Sequence, residues 1–213
     1  MRRNALTPIV YAVNPMTENK QLRRNRQAGL SMVEILIVVL IGSIVTTIAL
    51  PNILTVLANT RLRSNISTLS GIFQNCRMMS VRNNRVMSTH FSYPSNGIMA
   101  YVKLATDGSG PTRTDTQVEL EAPIMKFTTP SGAGAPSAMT SGTLGFTPST
   151  ADASFNTRGL PCLYSNPNCA ANQGFVYYFK DTRRSGADGW AAVSISPAGR
   201  IKKWYWSGTA WGE

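Results

Sequence analysis

Hydrophobic positions follow three patterns along the chain. Residues 30–50 are apolar almost without interruption, reading LSMVEILIVVLIGSIVTTIAL. As a helix, 21 residues extend about 31 Å, the hydrocarbon thickness of a bilayer. Leu54, Ala58, Leu62, Ile66, Leu69, Phe73 and Cys76 then recur at spacings of three and four, one apolar stripe on a helical face. Arg61, Arg63, Asn65, Ser67 and Ser70 fall mostly off that stripe. Together these patterns predict a single helix from about residue 31 to about residue 82, with a kink or local melting at Pro51, which lacks a backbone donor. From residue 86 the period becomes that of strands. Stretches 86–93, 98–104, 117–121, 124–128, 144–147, 153–156, 175–180, 190–196 and 200–206 are read as strands. Pro94-Ser95-Asn96-Gly97 and Pro197-Ala198-Gly199 mark tight connections, and residues 131–142, rich in Gly, Ala, Ser and Pro, predict a loop. The stripe on the helix needs a partner, and a sheet supplies one. The expected fold is α+β: a long N-terminal helix packed on a C-terminal antiparallel β-sheet domain.

Composition sharpens this picture. The chain has 213 residues and a formal charge of +11, yet only 15% of its residues are charged and 43% are hydrophobic. That balance excludes a solvated disordered chain and a Glu/Lys-rich coiled coil. Six basic side chains (Arg2, Arg3, Lys20, Arg23, Arg24, Arg26) against Glu18 alone place a net +5 before residue 30. By the positive-inside rule residues 1–29 stay cytoplasmic, and the rest of the chain is carried to the far side. A conventional secretory signal is the plainer alternative. Against it, the apolar run is longer than a typical h-region, and Thr47-Ile48-Ala49 is a poor cleavage site.

Glu34 is the informative exception. A carboxylate inside an apolar segment costs a few kcal/mol on insertion scales and marks function by default. Cleavage after Gly29 would create an α-amino group on Leu30, about one helical turn from Glu34, and the two charges could neutralise each other. Gly29-Leu30-Ser31-Met32-Val33-Glu34, followed by an apolar helix and Pro51, resembles the class III signal of type IV prepilins and type II secretion pseudopilins. The resemblance implies cleavage between Gly29 and Leu30 by a prepilin peptidase and N-methylation of Leu30, where the usual residue is Phe. It also implies insertion in the inner membrane, a single pass with the C-terminal domain in the periplasm, and assembly with other pilins on an inner-membrane platform. Glu34 would set subunit register. Phe155-Asn156-Thr157-Arg158-Gly159, a later strand ending at Ser196, and Gly199-Arg200-Ile201-Lys202 resemble the H-type minor pseudopilins (GspH) and FimT minor pilins.

The resulting organisation is a leader over 1–29, a transmembrane and assembly helix over 30–50, its amphipathic continuation over 51–85, and a β-rich domain over 86–213. A chain starting at Met16 keeps four of the six basic residues and is expected to be processed normally. The expected function is structural, in a secretion pseudopilus or a type IV pilus, with no enzymatic activity, cofactor or metal.

The remaining candidates are weaker. Cys162 and Cys169 bracket a turn-rich loop in an oxidising compartment, and a disulfide between them is expected. A zinc site would have to draw on His90 and the distant Cys76, too few ligands; Cys76 lies on the apolar stripe and His90 has no acid at a recognisable spacing. Asp181 and Asp188 flank a loop, but Arg183 and Arg184 inside it oppose a calcium ion. Arg183, Arg184, Arg200, Lys202 and Lys203 lie near Trp190, Trp204, Tyr205 and Trp206, a combination suited to nucleic acid. Some FimT-like minor pilins bind DNA for natural transformation through G-R-x-R, and the resemblance implies, as the alternative function, a minor pilin that binds DNA at a pilus tip. Here Lys202 stands at the second Arg and loses the bidentate fork. The alternative is a solvated strand with its aromatic residues in the core.

Overall fold

The computed structural model describes residues 31–213 other than 96, 122, 166, 185 and 187. Helix α1 (Met32–Asn83) comes first. Glu34 N–H and Ile35 N–H both donate to Ser31 O (2.9 and 3.1 Å), closing its first turn. The backbone stays helical across Pro51, so of the two outcomes expected there melting does not occur. The helix ends where Asn84 turns left-handed (φ 50°). Arg85 N–H then reaches Ser80 O and Asn84 N–H reaches Val81 O, the paired bonds of a Schellman cap built on Asn rather than Gly.

The chain divides between residues 46 and 47 into two units. In the first, residues 32–46 are exposed helix. The second holds the rest of α1 and two six-stranded sheets. One sheet joins β1 (Met87–Ser92), β2 (Gly97–Leu104), β3 (Thr116–Glu121), β6 (Ser154–Phe155), β7 (Pro161–Ser165) and β8 (Asn168–Ala171), in the order β3-β2-β1-β6-β7-β8. The other has the order β12-β11-β10-β9-β4, from β4 (Ile124–Phe127), β9 (Gly174–Asp181), β10 (Trp190–Ile195), β11 (Ile201–Trp206) and β12 (Trp211–Gly212). Short β5 (Pro148–Ser149) adds to β9 in parallel; every other pairing described is antiparallel.

The helix joins both sheets. Leu62, Ile66, Leu69, Phe73 and Cys76 are buried against Met87, Ala100, Val102 and Phe155 of the first sheet and Phe175, Tyr177, Phe179 and Val193 of the second. The stripe therefore forms as expected from Leu62 onward. It does not begin at Leu54, which is 65% exposed, while Ser70 is buried on it.

Several details differ from the expectation. The β domain is two sheets, not one. Residues 144–147 are not a strand: α2 (Ser141–Leu144) ends there, closed by left-handed Gly145. The loop over 131–142 covers the outer face of the second sheet. Tyr178 Oη accepts from Met139 N–H (2.8 Å), and Trp211 Nε1 donates to Ser137 O (2.9 Å). Met139 thereby joins Val176, Tyr178, Trp190, Ala192 and Trp204 in a second core. A loop can form a core without periodicity when single side chains and main-chain groups, rather than a repeating face, make the contacts.

The 155–159 segment now has a local explanation. Phe155 is buried, and Asn156 Oδ1 accepts from Arg158 N–H (2.9 Å) and Leu160 N–H (3.0 Å), holding a tight turn. Gly159 at φ 73° closes the turn against the helix, where an added Cβ would lie 3.0 Å from Val81 and 3.2 Å from Arg77. Arg77 Nη1 also donates to Gly199 O (3.2 Å), so its guanidinium is held between two glycine turns. Gly159→Ala is expected to cost about 1–2 kcal/mol in backbone strain, plus the displacement of Arg77. Thermal unfolding of the detergent-solubilised chain checks this, with Gly108→Ala as control: an added Cβ there meets nothing within 4 Å. Equal melting of the two variants would remove the role given to Gly159.

Candidate functional site: the N-terminal segment and a basic flank

Between Arg26 and Arg61 the sequence holds one ionisable residue, Glu34. The structure sets it in the first turn of α1, where a carboxylate also complements the positive end of the helix dipole. Around it Val33, Ile35, Leu36, Ile37, Val38, Val39, Leu40 and Ile41 are all more than half exposed. The polar side chains of this stretch are satisfied within the helix: the Ser43 and Thr46 hydroxyls donate to the carbonyls of Leu40 and Gly42. This is one helix long and apolar enough to cross a membrane. Its chemistry reduces to a continuous apolar surface with one carboxylate near the start. Gly29 and Leu30 lie outside the described residues.

Cys162 and Cys169 are joined as a disulfide, with Cα atoms 5.3 Å apart. The bridge crosses hairpin β7–β8, where Tyr164 is opposite Cys169 and Cys162 opposite Ala171. The turn-rich reading of 162–169 missed both strands. Cys76 is free and buried, and desolvation pushes its thiol up to about 12, so it is an unreactive core residue. No cluster of metal-ligating side chains occurs among the described residues.

His90 does have an acid partner, contrary to the expectation from spacing. Its Nδ1 lies 2.9 Å from Asp152 Oδ2, because β1 pairs with β6 and brings the chain just before β6 alongside. A separation of 62 residues leaves no local signal for such a pair. The Asp181 carboxylate is buried and occupied by the backbone N–H, Nε and Nη2 of Arg183 (3.0–3.3 Å), which removes it as a cation ligand.

The basic residues are distributed over several grooves, which share some of the aromatic rings. Arg183 and Arg184 line a groove with Arg61 and Asp188. Arg200, Lys202 and Lys203 line another with Arg63 and Glu213. Trp190 and Trp204 are buried in the second core, and Trp204 Nε1 donates to Ser194 Oγ (2.8 Å). Tyr205 is covered by the Arg63 guanidinium, 4.8 Å from the ring centroid. Half-buried Tyr205 and Trp206 line a further groove with Arg63, Arg184 and Asp188.

Comparison with known proteins places the N-terminal segment. Residues 24–50 match the model of the prokaryotic N-terminal methylation motif. Two crystal forms of the type IV minor pilin FimU from Pseudomonas aeruginosa PAO1 are similar in fold. One aligns at 14% identity and TM-score 0.45 over 73% of this chain and 95% of FimU. The other aligns at 15% identity and TM-score 0.43 over 71% and 97%. No curated protein matches the chain. The matched residues include Gly29, Leu30 and Glu34 and run into the exposed helix, so the chain carries a prokaryotic N-terminal methylation motif.

Proposed function

We propose that the chain is a minor pilin or pseudopilin: a structural subunit made as a prepilin, cut after Gly29, N-methylated on Leu30 and assembled through its apolar helix into a type IV pilus or type II secretion pseudopilus. The observation that carries this reading is the methylation motif over residues 24–50, with Glu34 the lone charge of the apolar segment 30–50. Before assembly the helix anchors the subunit in the inner membrane, with the basic leader inside and the β domain in the periplasm, where the Cys162–Cys169 bridge is stable. After cleavage the Leu30 α-amine is a cation that methylation leaves charged. Buried between apolar helices, it needs a counter-charge, and Glu34 supplies it, on its own subunit or a neighbour. The C-terminal resemblance to H-type pseudopilins and FimT supports a minor rather than a major subunit.

Mass spectrometry of the mature protein is expected to find N-methylated Leu30 at the N-terminus. Replacing Gly29 with a bulky residue should leave the full-length precursor. A mature N-terminus near residue 50 would instead establish an ordinary signal peptide.

A further inference from the structure

β11 is unpaired along half of its outer edge. At the hairpin Ser196 N–H donates to Arg200 O (2.9 Å), and Ser194 and Ala192 are opposite Lys202 and Trp204. By antiparallel alternation, Lys202 and Trp204 turn their main-chain groups toward β10, while Ile201, Lys203 and Tyr205 turn theirs away. β12 covers the last of these, through Tyr205 opposite Gly212. Among the described residues nothing pairs with the outward N–H and C=O of Ile201 and Lys203.

The groove beside this open edge is lined by Arg63, Arg200, Lys202, Lys203 and one acid, Glu213. Lys202 is already ion-paired with Glu213. No carboxylate among the described residues pairs with Arg63, Arg200 or Lys203. Glu213 shows what this surface attracts: a carboxylate next to a strand running beside β11.

We propose that the β11 edge takes an extended acidic peptide segment of a partner protein as an added strand. Side chains of paired residues share a face, so register fixes the segment's chemistry. It places an apolar residue opposite Ile201 and acids opposite Lys202 and Lys203. The first acid competes with Glu213, and the second lies on the face where Arg63 also waits. The main chain selects peptide over nucleic acid. An open strand edge presents donors and acceptors in alternation, which a peptide satisfies, whereas a phosphodiester backbone supplies acceptors and no donors. Trp190 and Trp204 are buried and take no part in stacking on bases. This inference stands apart from the fibre role and does not need it.

The test uses the full chain in detergent with a fluorescein-labelled peptide whose core is apolar-Glu-Asp. Anisotropy measures affinity, and hydrogen exchange follows the Ile201 and Lys203 amides. The peptide is expected to bind and to slow exchange at both amides. N-methylating its alternate backbone amides should weaken binding about tenfold, since two hydrogen bonds to the strand edge are lost. Lys203→Glu, at an exposed position, should also weaken it about tenfold with the melting temperature unchanged. Glu213→Gln should tighten it about threefold by freeing Lys202. Equal affinity for the N-methylated peptide would overturn the proposal in favour of charge attraction alone. A single-stranded oligonucleotide binding more tightly than the peptide, with exchange at both amides unchanged, would overturn it in favour of a nucleic-acid face.

Discussion

Glu34→Val is expected to reach the membrane at least as well as wild type and to be lost from the assembled fibre. Insertion improves because the apolar segment sheds its one charge, a saving of about 2.5–3.5 kcal/mol on insertion scales. Assembly fails because the mature α-amine is then buried without a counter-charge, and breaking a buried pair costs about 3–5 kcal/mol. Co-expression of mutant and wild type with the assembly machinery, scoring membrane-bound and fibre-bound protein separately, measures both effects. Glu34→Asp keeps the charge but shortens its reach, and should fall between the two. Fibres that take up Glu34→Val as readily as wild type would show that no such pair forms.

Phe73→Ala should be the most damaging single change at the junction of helix and sheets. Phe73 is fully buried, stacks on Tyr177 (5.3 Å, 11°) and meets Phe91 edge-on (6.4 Å, 61°). It therefore joins the helix to β9 of one sheet and β1 of the other. Truncation costs about 3–5 kcal/mol, against a total stability of about 5–15 kcal/mol, and should lower the melting temperature by roughly 10 °C. Leu54→Ala provides the contrast. It lies on the same periodic stripe, but its exposure predicts a domain that melts like wild type. If both variants melt together, the stripe is docked along a different length from the one described.

The helix was legible because each of its signals is local. The spacing of Leu62, Ile66, Leu69, Phe73 and Cys76, and the turn from 3.6-residue to two-residue periodicity near residue 86, can be read without tertiary contacts. Leu54 misled because periodicity reports which face a residue occupies and not whether a partner reaches it. The longer strands β2, β9, β10 and β11 declared themselves by composition. β7 and β8 did not, since Asn166, Pro167 and Asn168 between the cysteines read as one long turn and the strands around them are only five and four residues. At the N-terminus the spacing from Gly29 to Glu34 carried the reading, and no tertiary information was needed. The basic surface was half legible. Its residues could be named, but their division into several grooves depends on pairings between distant strands, and so does the Asp152 partner of His90. Arg77 was missed altogether; an arginine near the end of an amphipathic helix gives no sign that two glycine turns close over it.

The loop over the second sheet bears on how this protein reports its own unfolding. Met139, Ala135 and the hydrogen bonds to Tyr178 and Trp211 hold that loop without any strand pairing, which places it toward the low-stability end of the structure. Yet it covers a core that contains Trp190 and Trp204, two of the chain's four tryptophans, and its bond to Trp211 adds a third. Its detachment wets these indoles while helix and sheets remain intact. Intrinsic fluorescence will then shift to the red ahead of far-ultraviolet dichroism, and the mismatch between the two probes records a separate opening rather than a poorly folded sample.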